Sequence, residues 1–426
     1  MARWLPALLT AAFVLSGSFK EVGALASLPV DVTLLLAVAV AGLVVWEVIV
    51  GRIPPAVHLV VLGFLLLLPA AFFTAPTPYG EDKAVRLFTL TLLSMLAPAL
   101  LIRDRADVRR HLIALAVVAG VVVGGGLFNP RLSSNYTGAP ITTESVDTIG
   151  LGTAAAVVVV IMTMALIWKA WPLLLALPIG AASVYVLLQS GSRGPLFSAI
   201  IAIVVGTFLV RRRPSVRRGL VFLGLVAVGV LVSFSLAPEY SRGRILNFFE
   251  GNNAGSVDNR VRLIEVALDQ VTRHPFGIGL GGFEGAAFGG YFYPHDLPVE
   301  VLAEAGVILG GAFLCWIGYC MVRAHRATVD FTGGATFAVL VCVLGKSLVS
   351  GDLNDNRLTF YVLGIALAAG LLYSRSAVDS ADQTPEAAPS ELSKPPRVPI
   401  PAPTAGTPSD YARQSWETPI IGQGRM

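Results

Sequence analysis

Uninterrupted apolar runs recur along almost the whole chain, most of them long enough to cross roughly 30 Å of hydrocarbon as a helix. Twelve runs read as membrane spans, at about 4–19, 31–50, 56–74, 85–102, 112–128, 149–168, 171–189, 195–210, 219–236, 296–322, 333–350 and 357–373. They are continuous and lack the period-2 alternation of a barrel strand, which excludes an outer-membrane barrel. The predicted fold class is all-α: a polytopic transmembrane helical bundle of about 12 spans.

The polar stretches between the runs set the orientation. Arg and Lys gather in alternate loops: Arg52, "RDRADVRRH" (Arg103 to His111), Lys169, "RRRPSVRR" (Arg211 to Arg218), and Arg323 with Arg326. The positive-inside rule assigns these loops, and with them both termini, to the cytoplasm. The loops at 75–84, 129–148, 189–194, 237–295 and 350–356 then face outward. Arg3 before the first run and Ala24-Leu25-Ala26 beyond it also fit a cleaved signal peptide. An uncleaved first span suits a multi-span chain better, and the remaining topology is the same either way.

Residues 374–426 carry nine prolines and no apolar period. This stretch reads as a disordered, Pro-rich cytoplasmic tail beside a transmembrane domain spanning 1–373. A solvated tail is the plain reading, and a motif for a cytoplasmic partner the other.

Composition agrees with the pattern: 55% of residues are hydrophobic, 14% are charged, and mean hydropathy is +0.73. A soluble chain of this length needs far more polar surface. The net charge of +4 acquires meaning only through its distribution over loops, and nothing in it calls for a nucleic-acid partner. Cys315, Cys320 and Cys342 all lie inside apolar runs, as packing residues and not as a disulfide framework or metal site.

The outward loops hold the candidate chemistry. "TPYGEDKAVRL" places Lys83 and Arg86 at the outer end of the fourth span. The Gly-flanked turn "SGSRG" puts Arg193 close to the bilayer surface, where a guanidinium fork can meet phosphate. Within the loop at about 237–295, Val257, Val261, Ile264, Leu268 and Val271 recur at helical spacing, with Arg260, Arg262, Glu265 and Asp269 on other faces. That pattern predicts an amphipathic helix lying flat on the outer interface, with Asp258 as its N-cap. For any one of these cations, snorkelling to lipid headgroups is the plain reading; several together suit a diphosphate.

His295 opens the tenth span, with Asp296 beside it and Glu300 and Glu304 on one helix face below. A histidine near neutral pKa suits proton removal from a hydroxyl nucleophile. Intramembrane carboxylates are expensive unless paired, so these acids read as functional groups or as structural partners for an outer-face Arg. The adjacent Asp296 is expected to raise the His295 pKa and to orient its ring. "HPFGIGLGGFEG" contains a literal Gly-x-Gly-x-x-Gly, but no strand precedes it and no βαβ unit surrounds it. Its glycines are read as a loop of close backbone turns, mobile over a cavity.

Three stretches, "SGSRGPLFS", "NRVRLIEVALDQVTRHPFGIGLGGF" and "PHDLPVEVLAEAGVILGG", together resemble the O-antigen ligase and Wzy-type polymerase superfamily of bacterial membrane glycosyltransferases. "SGDLNDNRLTFYVLG" looks like that superfamily's closing segment, so the resemblance covers about residues 1–373. It implies transfer of a glycan from a polyprenyl-diphosphate carrier to a hydroxyl acceptor outside the cytoplasmic membrane, with neither nucleotide, metal nor other cofactor. By position, it implies that Arg193 and Arg260 clamp the diphosphate, that Lys83 and Arg86 support them, and that His295 is the general base. Arg262, Glu300 and Glu304 complete the substrate-binding set read from the same stretches. Two departures stand out: Asp296 where the superfamily has Asn, and Ile264 where an aromatic is usual.

The acceptor is left open between another lipid-linked repeat, as for a polymerase, and a lipid or protein, as for a ligase. A lipid-linked oligosaccharide flippase or transporter is the alternative class. It calls for charges near the midplane and repeat halves with broken helices. The charges here sit at the outer ends of the spans. A peptidoglycan polymerase of the rod-shape type shares the lipid-diphosphate logic but matches the Arg turn and the His span start less well.

Overall fold

The computed structural model describes residues 3–18, 31–51, 53–128, 131–132, 141–142, 148–211, 256–286 and 291–382, with scattered positions between 220 and 246. The described residues up to Asp379 belong to one compact unit. Half of the ninth expected span, the stretch 247–255 and the tail beyond 382 lie outside the described residues.

The described chain is helical apart from one antiparallel pair, β1 (Arg131–Leu132) with β2 (Ile141–Thr142). In order the helices are α1 (Trp4–Val14), α2 (Val32–Ile49), α3 (Pro55–Phe72), α4 (Pro78–Arg86), α5 (Leu92–Leu101), α6 (Arg105–Phe128) and α7 (Thr148–Ile167). There follow α8 (Leu173–Gln189), α9 (Arg193–Phe208), α10 (Ser256–Arg273), α11 (Phe283–Ala286), α12 (Leu297–Arg326), α13 (Phe331–Ser347) and α14 (Arg357–Asp382). A π turn, Leu87–Thr91, joins α4 to α5 in one continuous rod.

Seven of these elements are long and apolar enough to cross a membrane: α2, α3, the α4–α5 rod, α6, α7, α12 and the first part of α14. α1, α8, α9 and α13 are apolar but shorter. Eleven of the twelve expected runs thus coincide with apolar helices. The last helix continues past the expected boundary at 373, to Asp382.

Local chemistry explains where several helices start. Asp31 caps α2 by accepting from the Thr33 amide at 2.7 Å, and Asp330 caps α13 by accepting from Gly333 N at 2.8 Å. Thr77 caps α4 at Gly80 N, with Pro78 in the first turn, where its missing N–H costs nothing. α7 is apolar all round and buried on nearly every residue, so it sits in the middle of α6, α8, α9 and α13. α2 instead leaves Leu34, Val38 and Trp46 exposed, a surface suited to hydrocarbon.

α12 is not one straight helix. Gly306, at φ 80° and ψ 169°, breaks it. Such a break frees backbone groups that must be satisfied inside the protein. The segment Pro275–Gly279 does this: Ile278 N donates to Ala303 O at 2.9 Å, Gly279 N to Glu304 O at 3.1 Å, and Val307 N to Pro275 O at 2.9 Å. On its other side Leu280 O accepts from Ala75 N at 2.9 Å. The expected mobile glycine loop is therefore a stitch between α12 and the α3–α4 turn. Gly279 and Gly281 have positive φ, and a Cβ on Gly279 would lie 1.7 Å from Phe73 O. Glycine is required here by close backbone approach, not by mobility.

Candidate active site

One end of the bundle collects the start of α4, the turn before α9, α10, the segment 291–296 and the loop 348–356. Lys83 on α4 is fully buried among three carboxylates. Its Nζ lies 2.5 Å from Glu300 Oε1, 2.7 Å from Glu304 Oε1 and 3.3 Å from Asp352 Oδ1. Glu300 and Glu304 stand one turn apart on α12, so a single ammonium meets both. Backbone amides complete the cluster: Gly281 N donates to Glu304 Oε1 at 3.0 Å and Leu353 N to Glu300 Oε1 at 3.1 Å. The Tyr79 hydroxyl donates to Asp352 Oδ2, and Tyr79 packs against Phe292 with ring centroids 5.0 Å apart.

This placement differs from the sequence expectation for Lys83, Glu300 and Glu304. Instead of facing a substrate, they tie α4, α12, the glycine stitch and the 348–356 loop to one another. A buried cation needs close counter-charges, and its partners lie more than 200 residues away in the chain, where no local pattern reveals them. Asp352, which the sequence reading passed over, belongs to the same cluster. Burial acts to raise its carboxyl pKa, but Lys83 and the Tyr79 hydroxyl together hold it below its usual value. Its loop is fixed from within: Asn356 Nδ2 donates to Asp352 O at 2.7 Å, and Asn356 Oδ1 accepts from Ser347 Oγ and Lys346 Nζ.

Arg193 and Arg260 are brought together. They line one cavity of about 80 Å³ with Thr148, Ser192 and Ser350. Arg193 is the first residue of α9, so the helix N-terminus adds its partial positive charge there. Arg260 arrives on α10, which is seated by Leu263 and Ala267 packing against Phe283 and Ala303. The face with Val261 and Leu268 is left exposed. Arg262 is also exposed and does not line the Arg193–Arg260 cavity.

His295 is half-buried, in a left-handed conformation (φ 61°) uncommon outside glycine. Tyr293 and Tyr291 meet its ring edge-on at 4.4 and 6.1 Å, and its buried Nδ1 has no hydrogen-bond partner among the described residues. Its pKa is held below 6.5 by burial first and then by the Arg260 guanidinium, with Asp352 opposing and Lys346 assisting. The expected partnership with Asp296 is not found. Asp296 Oδ1 accepts from Val299 N at 3.0 Å as the N-cap of α12, and burial raises its pKa. A carboxylate one residue before a helix is drawn to the free amides of the first turn.

Arg86 stands elsewhere. Its Nε pairs with Asp82 at 2.8 Å, and it lines a separate cavity with Arg357.

The class defined so far is a helical membrane protein with a cation-lined cavity and a low-pKa histidine at one end. Residues 178–315 match the family model described as O-antigen ligase, which supports placing the chain in the O-antigen ligase and Wzy superfamily. The matched segment contains Arg193, Arg260, Arg262, His295, Glu300 and Glu304, and stops before Asp352. No curated protein matches the chain.

Proposed function

We propose that the protein transfers a glycan from a polyprenyl-diphosphate carrier to a hydroxyl acceptor at the outer face of the cytoplasmic membrane. The observation that carries this reading is the convergence of Arg193 and Arg260 on one cavity, with Arg260 close enough to His295 to depress its pKa. Two guanidiniums beside a helix N-terminus suit a diphosphate and the charge it gains as a leaving group.

The acceptor oxygen attacks the anomeric carbon of the carrier-linked sugar. The bond from that carbon to the diphosphate oxygen breaks, and its electron pair leaves with the polyprenyl diphosphate, held by Arg193 and Arg260. The acceptor's proton passes to the His295 ring, which the lowered pKa keeps neutral and able to take it. Lys83, Glu300, Glu304 and Asp352 act at one remove, by holding the 348–356 loop and the start of α12 in place.

Purified protein in detergent tests this with a lipid-linked donor and a hydroxyl acceptor. Wild type should form the glycosylated acceptor and release polyprenyl diphosphate in equal amounts, and His295→Ala and Arg193→Ala should each lose the transfer. Transfer by both variants at the wild-type rate would refute the assignment.

A further inference from the structure

The loop after α13 borders two cavities. Val349 and Ser350 line the one that holds Arg193 and Arg260. Asn354 and Asp355, a few residues on, line a second of about 250 Å³, which opens between the start of α2, the middle of the α4–α5 rod and the start of α14. Arg86 and Arg357 both line this second cavity. The Arg357 Nη1 is buried with no hydrogen-bond partner among the described residues. A buried, unsatisfied guanidinium nitrogen is costly, and a nearby second arginine adds to the cost unless an anion occupies the space between them.

Asp355 and Asp31 in the cavity wall are counter-charges to Arg357, but neither bonds its Nη1 among the described residues. The Asp31 carboxylate serves the α2 cap through Thr33 N, at 2.7 Å. Burial and neighbouring Asp352 raise the pKa of Asp355, while Arg357 and Arg86 act to lower it. On Arg86 the pairing with Asp82 engages Nε. Leu34 and Leu90 supply an apolar wall beside the two cations.

We propose that Arg86 and Arg357 form a second anion site, which takes a phosphate or carboxylate group carried by the acceptor. The proposal rests on the transferase reading, because it assigns the two flanks of one loop to the two substrates. A phosphate on a lipid and a carboxylate on a sugar each present two anionic oxygens that a guanidinium fork can take bidentately. The first source marks a lipid acceptor and the second a glycan acceptor.

The test is binding by the purified full chain in a non-ionic detergent, in an Arg193→Gln/Arg260→Gln background that silences the first cavity. Glycerol 1-phosphate and glucuronate are titrated separately by calorimetry. At least one should bind, and adding Arg357→Gln or Arg86→Gln should weaken it about tenfold or more. Arg357→Lys, which keeps the charge but loses the fork, covers the case in which the Gln variant fails to purify. Preference for glycerol 1-phosphate assigns a lipid-borne phosphate, and preference for glucuronate an anionic sugar. Absence of binding by both probes, or binding indifferent to Arg86 and Arg357, overturns the proposal. Failure of the transferase reading is a separate result: wild-type transfer by the Arg193→Ala and His295→Ala proteins.

Discussion

The Lys83 ammonium lies 2.7 Å from Glu304 Oε1, and neither side chain has more than a trace of exposed surface. The pair joins α4 to α12 next to the Gly306 break, where the glycine stitch also attaches. Lys83→Met would strand three buried carboxylates at once. It should destabilise the protein by about 3–5 kcal/mol, read as loss of monodisperse protein or a large fall in Tm in detergent. A cation that served only to hold substrate would give the opposite pattern, with stability kept and KM raised.

The stitch itself makes a second prediction. Gly279→Ala places a Cβ against Phe73 O in a left-handed backbone conformation, and should cost at least ~1–3 kcal/mol. Gly124→Ala in α6 has nothing within 4 Å of the new Cβ and serves as control. Thermal unfolding of the two variants side by side checks this; equal Tm values contradict the pinned geometry.

The acidic limb of the pH–rate profile should reflect His295. Its folded-state pKa is lowered, so the neutral form persists to lower pH than for a free imidazole, and the acidic limb of kcat/KM should lie below that of a free imidazole. Arg260→Gln removes a cation that disfavours imidazolium. In that variant the limb should move upward, even though the overall rate is low. A limb that stays in place or moves down shows that a different group titrates.

Asp296→Asn keeps a good N-cap and should leave both Tm and the pH limb unchanged. Asp296→Ala loses the bond to Val299 N and should cost about 1 kcal/mol. A shift of the limb in the Asn variant would restore Asp296 as the partner of His295.

How much was legible in advance depended on the range of the interaction. Apolar runs are local, so eleven of the twelve expected spans coincide with helices. Arg193 stands out as an arginine in an outward turn against the usual charge bias, whereas only the resemblance pairs Arg260 with it; the fold brings both to one cavity. The break at Gly306 was not, since one glycine in an apolar run reads as ordinary helix; the signal lies in the second glycine run, 277–282, that supplies the missing amides. Lys83 looked like its neighbour Arg86 because both are cations on one short helix, and only the fold turns one inward and the other outward. Asp352 sits in "SGDLNDN", a run of polar turn residues whose contact with a buried lysine no spacing rule encodes.

The central claim, that Arg193 and Arg260 hold a diphosphate while His295 takes the acceptor's proton, is tested most directly in cells carrying His295→Ala or Arg193→Ala. Surface polysaccharide is separated by chain length beside the lipid-linked pool, with each variant's membrane level measured. The account predicts loss of mature polysaccharide at normal protein levels, with lipid-linked glycan accumulating as single repeats for a polymerase or as full-length chains for a ligase. Unchanged polysaccharide from both stably expressed variants would contradict it.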